Sequence, residues 1–205
     1  MSLLLTALVL GLYAGFSPGP MLTLVLSETL KHGTKAGLQV ALSPLITDVP
    51  IIILALVLMN QLAQMQTALG IMSLVGALVL IWMGYESLNT QPIAINNSSL
   101  ITKPASLKKG ILVNLVNPHP YIFWITIGAP LIYKAYQQSL GLALVALLGF
   151  YICLVGAKVL LALIAGRYRH ALSSQLYLML VRGLGLVLWL FAVFMAWEGF
   201  KLLTK

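Results

Sequence analysis

The sequence predicts an all-α integral membrane protein: six transmembrane helices arranged as two inverted three-helix repeats, with helices 1 and 4 broken. Three observations carry this reading. Of 205 residues, 60% are apolar and only 8% charged, whereas a soluble domain is about a quarter charged. Mean hydropathy is +1.01. Six apolar spans, 3–27, 36–59, 67–89, 108–133, 140–166 and 180–203, each clear the roughly 20 residues needed to cross a bilayer core. Finally, an X-Pro-X-Pro motif recurs at matching places, Ser17-Pro18-Gly19-Pro20 in span one and Asn117-Pro118-His119-Pro120 in span four.

The second feature that repeats is Trp82-Met83-Gly84-Tyr85 in span three against Trp197-Glu198-Gly199-Phe200 in span six, followed by Leu88 and Leu203. Three spans per half is an odd number, so the second half lies inverted in the bilayer, an arrangement typical of secondary transporters. The expected units are residues 1–89, a polar cytoplasmic linker at 90–107 rich in Asn, Ser and Thr, and residues 108–205. Loops after spans one, three and five carry Lys31, Lys35, Lys103, Lys108, Lys109, Arg167 and Arg169, with Arg182 at the edge; the other side has Lys134, Lys201 and Lys205. The positive-inside rule then puts the odd loops in the cytoplasm and both termini outside. The net charge of +8 is read as orientation charge, not as a nucleic-acid surface. Residues 1–27 lack a basic n-region and an A-x-A-like site, so they are expected to be a span and not a signal peptide. The single cysteine, Cys153, excludes a disulfide framework and a C-x-x-C redox pair. His32, His119 and His170 are scattered without metal-ligand spacing. No cofactor and no metal is expected.

Span one contains Gly15-Phe16-Ser17-Pro18-Gly19-Pro20. Each proline lacks an N–H and crowds the carbonyl four residues earlier, those of Ala14 and Phe16. At membrane depth such freed backbone groups persist only where protein or a water-filled cavity satisfies them. Gly11-x-x-x-Gly15 permits close helix approach. In span two, Asp48 is the only acid deep within a span, roughly 18 Å along the helix. A charge there costs about 2.5–3.5 kcal/mol and needs a partner. Pro44 and Pro50 flank it and free the carbonyls of Val40 and Ile46. In span four, Asn114, Asn117 and His119 line the break at Pro118 and Pro120; asparagine offers donors and an acceptor to a zwitterion, and histidine titrates near neutrality. In span five, Lys158 lies roughly 12 Å from the cytoplasmic end, placed to pair with Asp48, to bind an anionic group, or to snorkel. Glu28, Glu86 and Glu198 read as interfacial charges, and Trp82, Trp124, Trp189 and Trp197 as interfacial anchors and packing. Gly15-x-Ser17-x-Gly19 also fits a serine-hydrolase elbow, with Asp48 and His119 in chain order. The residue after the serine is Pro18, which has no N–H to hold an oxyanion, so no enzyme is expected.

Assembled, these residues resemble the lysine exporter (LysE) family of amino-acid efflux transporters. The first block is Gly15-Phe16-Ser17-Pro18-Gly19-Pro20, then Gly33 and Gly37, then Asp48; the second is Asn117-Pro118 with Phe123-Trp124; Gly76-Ala77 with Gly84-Tyr85 is similar to the third span. The resemblance covers essentially the whole chain. It implies export of an amino acid or similar small solute, driven by protons, from a bacterial-type cell membrane, with pseudo-twofold symmetry and room for a homodimer. Ser43-Pro44 stands where the family usually has a glycine, and His119-Pro120 follows Asn117-Pro118 where it usually has lysine.

The expected mechanism is proton-coupled antiport at a central site between the repeats. Ser17, Gly19, Asp48, Asn114, Asn117 and His119 would bind substrate, and Asp48 and Lys158 would couple protons. Gly15, Pro18, Pro20, Pro44, Pro118 and Pro120 would form the helix breaks and hinges, with Pro20 and Pro120 opening half-helices whose N-termini hold a carboxylate. The partners are thus a small-molecule substrate, protons and the lipid bilayer. The competing readings are a non-transporting membrane scaffold and an exporter of another small ion or metabolite.

Overall fold

The computed structural model describes residues 2–17, 19–62, 66–89, 106–167 and 175–204. Pro18 and linker positions 90–105 lie outside the described residues. Every element among those described is helical: α1 (Leu3–Phe16), α2 (Pro20–His32), α3 (Thr34–Ala41), α4 (Pro44–Leu62), α5 (Gln66–Leu88), α6 (Ser106–Val116), α7 (Pro118–Phe123), a π-helical turn (Trp124–Gly128), α8 (Ala129–Gln138), α9 (Leu140–Arg167) and α10 (Gln175–Leu203). Four stretches are long and apolar enough to cross a membrane: Thr34–Met59, Leu69–Leu88, Leu140–Arg167 and Gly185–Leu203. The pair α1–α2, bent by 56°, is a fifth candidate when its two halves are taken as one span. The protein is thus an all-α, multi-pass membrane protein. The fourth expected span does not form one such helix, because it is divided at Asn117 and again at the π turn.

The breaks follow from the prolines. Helix α1 ends at Phe16, and the Ser17 N–H closes its last turn onto the Tyr13 carbonyl at 2.7 Å. Helix α2 restarts with Pro20 at its first position, where a missing N–H removes only a group that would be an orphan anyway. At Gly33, φ is +87°, a left-handed value that glycine adopts without strain; it turns the chain from α2 into α3. Pro44 deprives the Val40 carbonyl of its helical donor, and the Ser43 hydroxyl replaces that donor at 2.8 Å. The carbonyl that the sequence offered to a cavity is therefore satisfied locally. The π turn lies just before Pro130, which cannot donate to Thr126. Its extra residue is accommodated by Gly128, against whose bare Cα the Trp124 ring packs.

Helix α5 packs along α10, α1 along α9, and α4 along the π turn and α8. The first pair is an antiparallel seam of small residues. A Cβ on Gly84 would lie 2.5 Å from the Trp189 ring, and one on Gly185 would lie 2.9 Å from the Gly84 carbonyl. The Trp189 indole N–H donates to the Ile81 carbonyl at 3.1 Å across the same seam. In the second pair, a Cβ on Gly15 would stand 2.5 Å from the Ala157 Cβ and 2.8 Å from the Leu154 carbonyl oxygen. Gly15→Ala is therefore expected to force α1 off α9 and to destabilise the protein by about 1–3 kcal/mol, the usual range for overpacking. Thermal unfolding in detergent would measure it; a variant as stable as wild type would mean the two helices are not held at this distance.

Candidate functional site

The α1–α2 and α6–α7 breaks meet α4 and α9 around one cavity of about 100 Å³, room for several waters or part of a small solute. Ser17, Gly19 and Pro20 line it from the first break, and Asn114, Asn117, His119 and Pro120 from the second. Pro44 and Asp48 line it from α4, and Lys158 from α9. Residues that the sequence singled out in four separate spans thus share one space. Gly15 and Pro118 are not among its lining residues, but each shapes it: the Gly15 carbonyl accepts from Lys158, and Pro118 opens α7.

Asp48 is 3% exposed. Its Oδ1 accepts from Asn114 Nδ2 at 2.8 Å and its Oδ2 from the Tyr151 hydroxyl at 3.1 Å. The second Asn114 N–H donates to Thr47 Oγ1 at 2.6 Å, and Thr47 in turn donates to the Ser43 carbonyl at 3.1 Å. Asn114 is therefore spent as a double donor that fixes Asp48 and Thr47, which ties α6 to α4. Lys158 is 4% exposed. Instead of an ion pair with Asp48, its Nζ donates to the carbonyls of Ala14 at 3.0 Å and Gly15 at 3.2 Å. These are at the C-terminal end of α1, which ends at Phe16, where the last carbonyls lack helical donors and the helix dipole favours a cation. The break in span one is thus stabilised by a lysine from α9.

The two half-helix starts differ. At α2 no side chain caps Gly19 or the first turn, and the first helical closure is from the Thr23 N–H to the Gly19 carbonyl at 3.0 Å. The N–H groups of Met21 and Leu22, both cavity-lining residues, belong to the orphan donors of a helix start. A Cβ at Gly19 would meet nothing within 4 Å, so the approach to them is open. At α7 the start is Pro118, not Pro120 as the motif suggested. Asn117 caps it, its Oδ1 accepting from the His119 N–H at 3.1 Å. Pro118 and Pro120 have no N–H to offer. Of the two starts, it is therefore α2 that presents uncapped helix-start N–H groups to the cavity.

His119 reaches the cavity with its ring 4.8 Å from Trp82 and its Nε2 3.9 Å from Glu86 Oε2. Glu86, which the sequence suggested as an interfacial charge, therefore stands beside the site. Glu28, read the same way, is buried between α2 and α6. It accepts from Ser106 Oγ at 2.6 Å and pairs with Lys109 at 2.7 Å. Glu198 pairs with Lys134 at 2.7 Å. Sequence reasoning missed Tyr151 and Phe150, and named Phe123-Trp124 without the role of an aromatic wall. Phe123, Trp124 and Phe150 line the cavity, with Phe123 stacked on Phe150 at 5.3 Å and Trp124 on Tyr151 at 6.2 Å. Trp124, expected among the interfacial anchors and packing residues, packs: it is among the largest fully buried side chains.

Comparison with known proteins gives the chain a family. The LysE type translocator family matches residues 12–199. Over 132 residues the chain is 33% identical to a protein of Vibrio cholerae described as an uncharacterized membrane protein, covering 60% of each chain. It is 29% identical over 126 residues to the leucine efflux protein of Klebsiella pneumoniae, covering 60% of this chain and 59% of that protein. The match spans only about 60% of the length of these relatives. No solved structure matches the chain. The family match runs from α1 into α10, through both helix breaks and every cavity-lining residue described above, and it is to translocators, not enzymes: the chain belongs to the LysE type translocator family.

Proposed function

We propose that the protein is a secondary-active, proton-coupled exporter of amino acids with a small apolar side chain, working at the central cavity. The observation that carries this reading is the joint placement of one buried carboxylate, one buried ammonium and an uncapped helix start around a single cavity with an aromatic wall. The ligand that matches is a zwitterion. Its ammonium would meet Asp48. Its carboxylate would lie against the Met21 and Leu22 N–H groups at the α2 start, on the side where Lys158 adds positive charge. The side chain would face Phe123, Trp124, Phe150 and Leu154, a lining that suits a hydrocarbon chain and offers no charge to a basic one. That one relative is named a leucine efflux protein is in keeping with such a substrate.

Proton coupling follows from competition at Asp48. Protonation removes the negative charge that holds the ammonium, so proton entry from outside promotes release there. Deprotonation toward the cytoplasm restores binding. Asn114 and Tyr151 keep the carboxyl oriented in both states. The helix pairing supports two inverted repeats that rock about the cavity: α1 with α9 corresponds, under exchange of the halves, to span four with α4, and α5 with α10 maps onto itself. The excess of basic loop residues on one side supports a topology with both termini outside. The test is counterflow in proteoliposomes against a panel of labelled amino acids. Exchange of leucine, valine or similar solutes, with lysine and glutamate excluded, is expected. Preference for a charged amino acid, or no exchange of any, contradicts the proposed substrate.

A further inference from the structure

A second and a third cavity, about 290 and 540 Å³, lie beyond the central one and share Leu3, Ser73, Pro130, Lys134, Met195 and Glu198 in their linings. The residues dividing the central cavity from the second follow a regular pattern. On α1, Tyr13 lines the central cavity and Leu10 the second. On α5, Met83 lines the first and Leu80 the second. On span four, Phe123 and Trp124 line the first and Ile127 the second. Each step is three or four residues, or about 5 Å of helix. On α1 and α5 the step runs toward the N-terminal end, and on span four toward the C-terminal end. All three therefore lead to the membrane side on which the amino terminus lies.

We propose that the second and third cavities form the vestibule by which solute leaves, closed from the central site by a one-turn apolar plug with a Tyr13–Met83 latch. This rests on the exporter reading above. The plug residues Leu10, Tyr13, Leu80, Met83, Phe123 and Ile127 are all buried. The Tyr13 hydroxyl donates to the Met83 carbonyl at 3.1 Å and ties α1 to α5 across the plug. The vestibule is not a plain lipid-filled groove. Thr6, Ser73 and Gln138 line it, together with the Lys134–Glu198 pair, which presents both charges of a zwitterion's complement. Because α1 and α5 belong to different helix pairs, with α9 and α10 respectively, movement of one pair against the other breaks the latch and parts the plug in one event.

The test uses Ser73→Cys in a Cys153→Ala background, with Thr6→Cys as a second position should the first fold poorly. A charged, membrane-impermeant thiol reagent is applied to right-side-out and to inside-out vesicles, and counterflow is measured before and after. The proposal expects labelling only from the side of the amino terminus and loss of counterflow once labelled. Tyr13→Phe, which removes the hydroxyl that donates to the Met83 carbonyl, is expected to speed labelling of Ser17→Cys from that same side several-fold. Complete labelling with counterflow unchanged, labelling only from the opposite side, or no reaction at either position overturns the vestibule. Counterflow by the unlabelled variant separates the two ideas: if it moves no amino acid the exporter reading fails, and the sidedness of labelling decides the vestibule alone.

Discussion

Asp48→Asn is expected to abolish the proposed proton-coupled export while leaving a folded protein. The substitution keeps size and shape, and the new amide oxygen still accepts from Asn114. The Tyr151 hydroxyl, which now donates to Oδ2 at 3.1 Å, can rotate and accept from the new NH₂. The change in stability is therefore about that of one rearranged buried hydrogen bond, roughly 1 kcal/mol. On the proposed mechanism, what is lost is the charge that would pair with the substrate ammonium and the proton that would compete with it. Export assayed against a pH gradient should fall to the background of empty vesicles, while size-exclusion behaviour and thermal unfolding stay near wild type. Asp48→Glu tests charge against position. It keeps the charge but moves it by one methylene into the contacts with Asn114 and Tyr151, and should retain only weak activity.

Lys158→Met acts on the break itself. The carbonyls of Ala14 and Gly15 lose the donor that now satisfies them. Each buried acceptor left without a partner costs about 1–3 kcal/mol, so the pair is worth several kcal/mol even if a water recovers part of it. Methionine fills the same volume, so a packing defect does not account for the result. The expected outcome is a lower unfolding temperature together with loss of export, because the end of α1 and the start of α2 share the loosened segment. Lys158→Arg, with more donors, should recover stability before it recovers transport. A Lys158→Met variant as stable as wild type would show that the broken helix does not depend on this lysine.

How much of this was legible in the sequence depends on how local each signal is. The breaks were, because a proline acts on the carbonyl four residues before it whatever surrounds it. Asp48 and Lys158 were legible as the lone ions in their apolar spans, yet their relation was not. Lysine at 158 finds carbonyls at 14 and 15, a pairing that only the α1–α9 packing creates. Tyr151 escaped notice because α9 is apolar on every side, so no periodicity separates its cavity face from its lipid face. The Ser106 and Lys109 partners that bury Glu28 lie on α6, far along the chain. Asn117 was readable as a cap, since asparagine directly before a proline-started helix is a standard N-cap; its oxygen serves the His119 N–H while the residue still lines the cavity. The π turn leaves no sequence mark beyond a glycine and a proline.

The most direct measurement of the central claim is substrate-dependent proton movement in proteoliposomes carrying a pH-sensitive dye. With the wild-type protein, adding leucine or valine on one side should drive protons in the opposite direction, and the same protein carrying Asp48→Asn should show neither solute nor proton flux. Amino-acid movement without proton movement, or proton flux that persists in Asp48→Asn, would contradict the account.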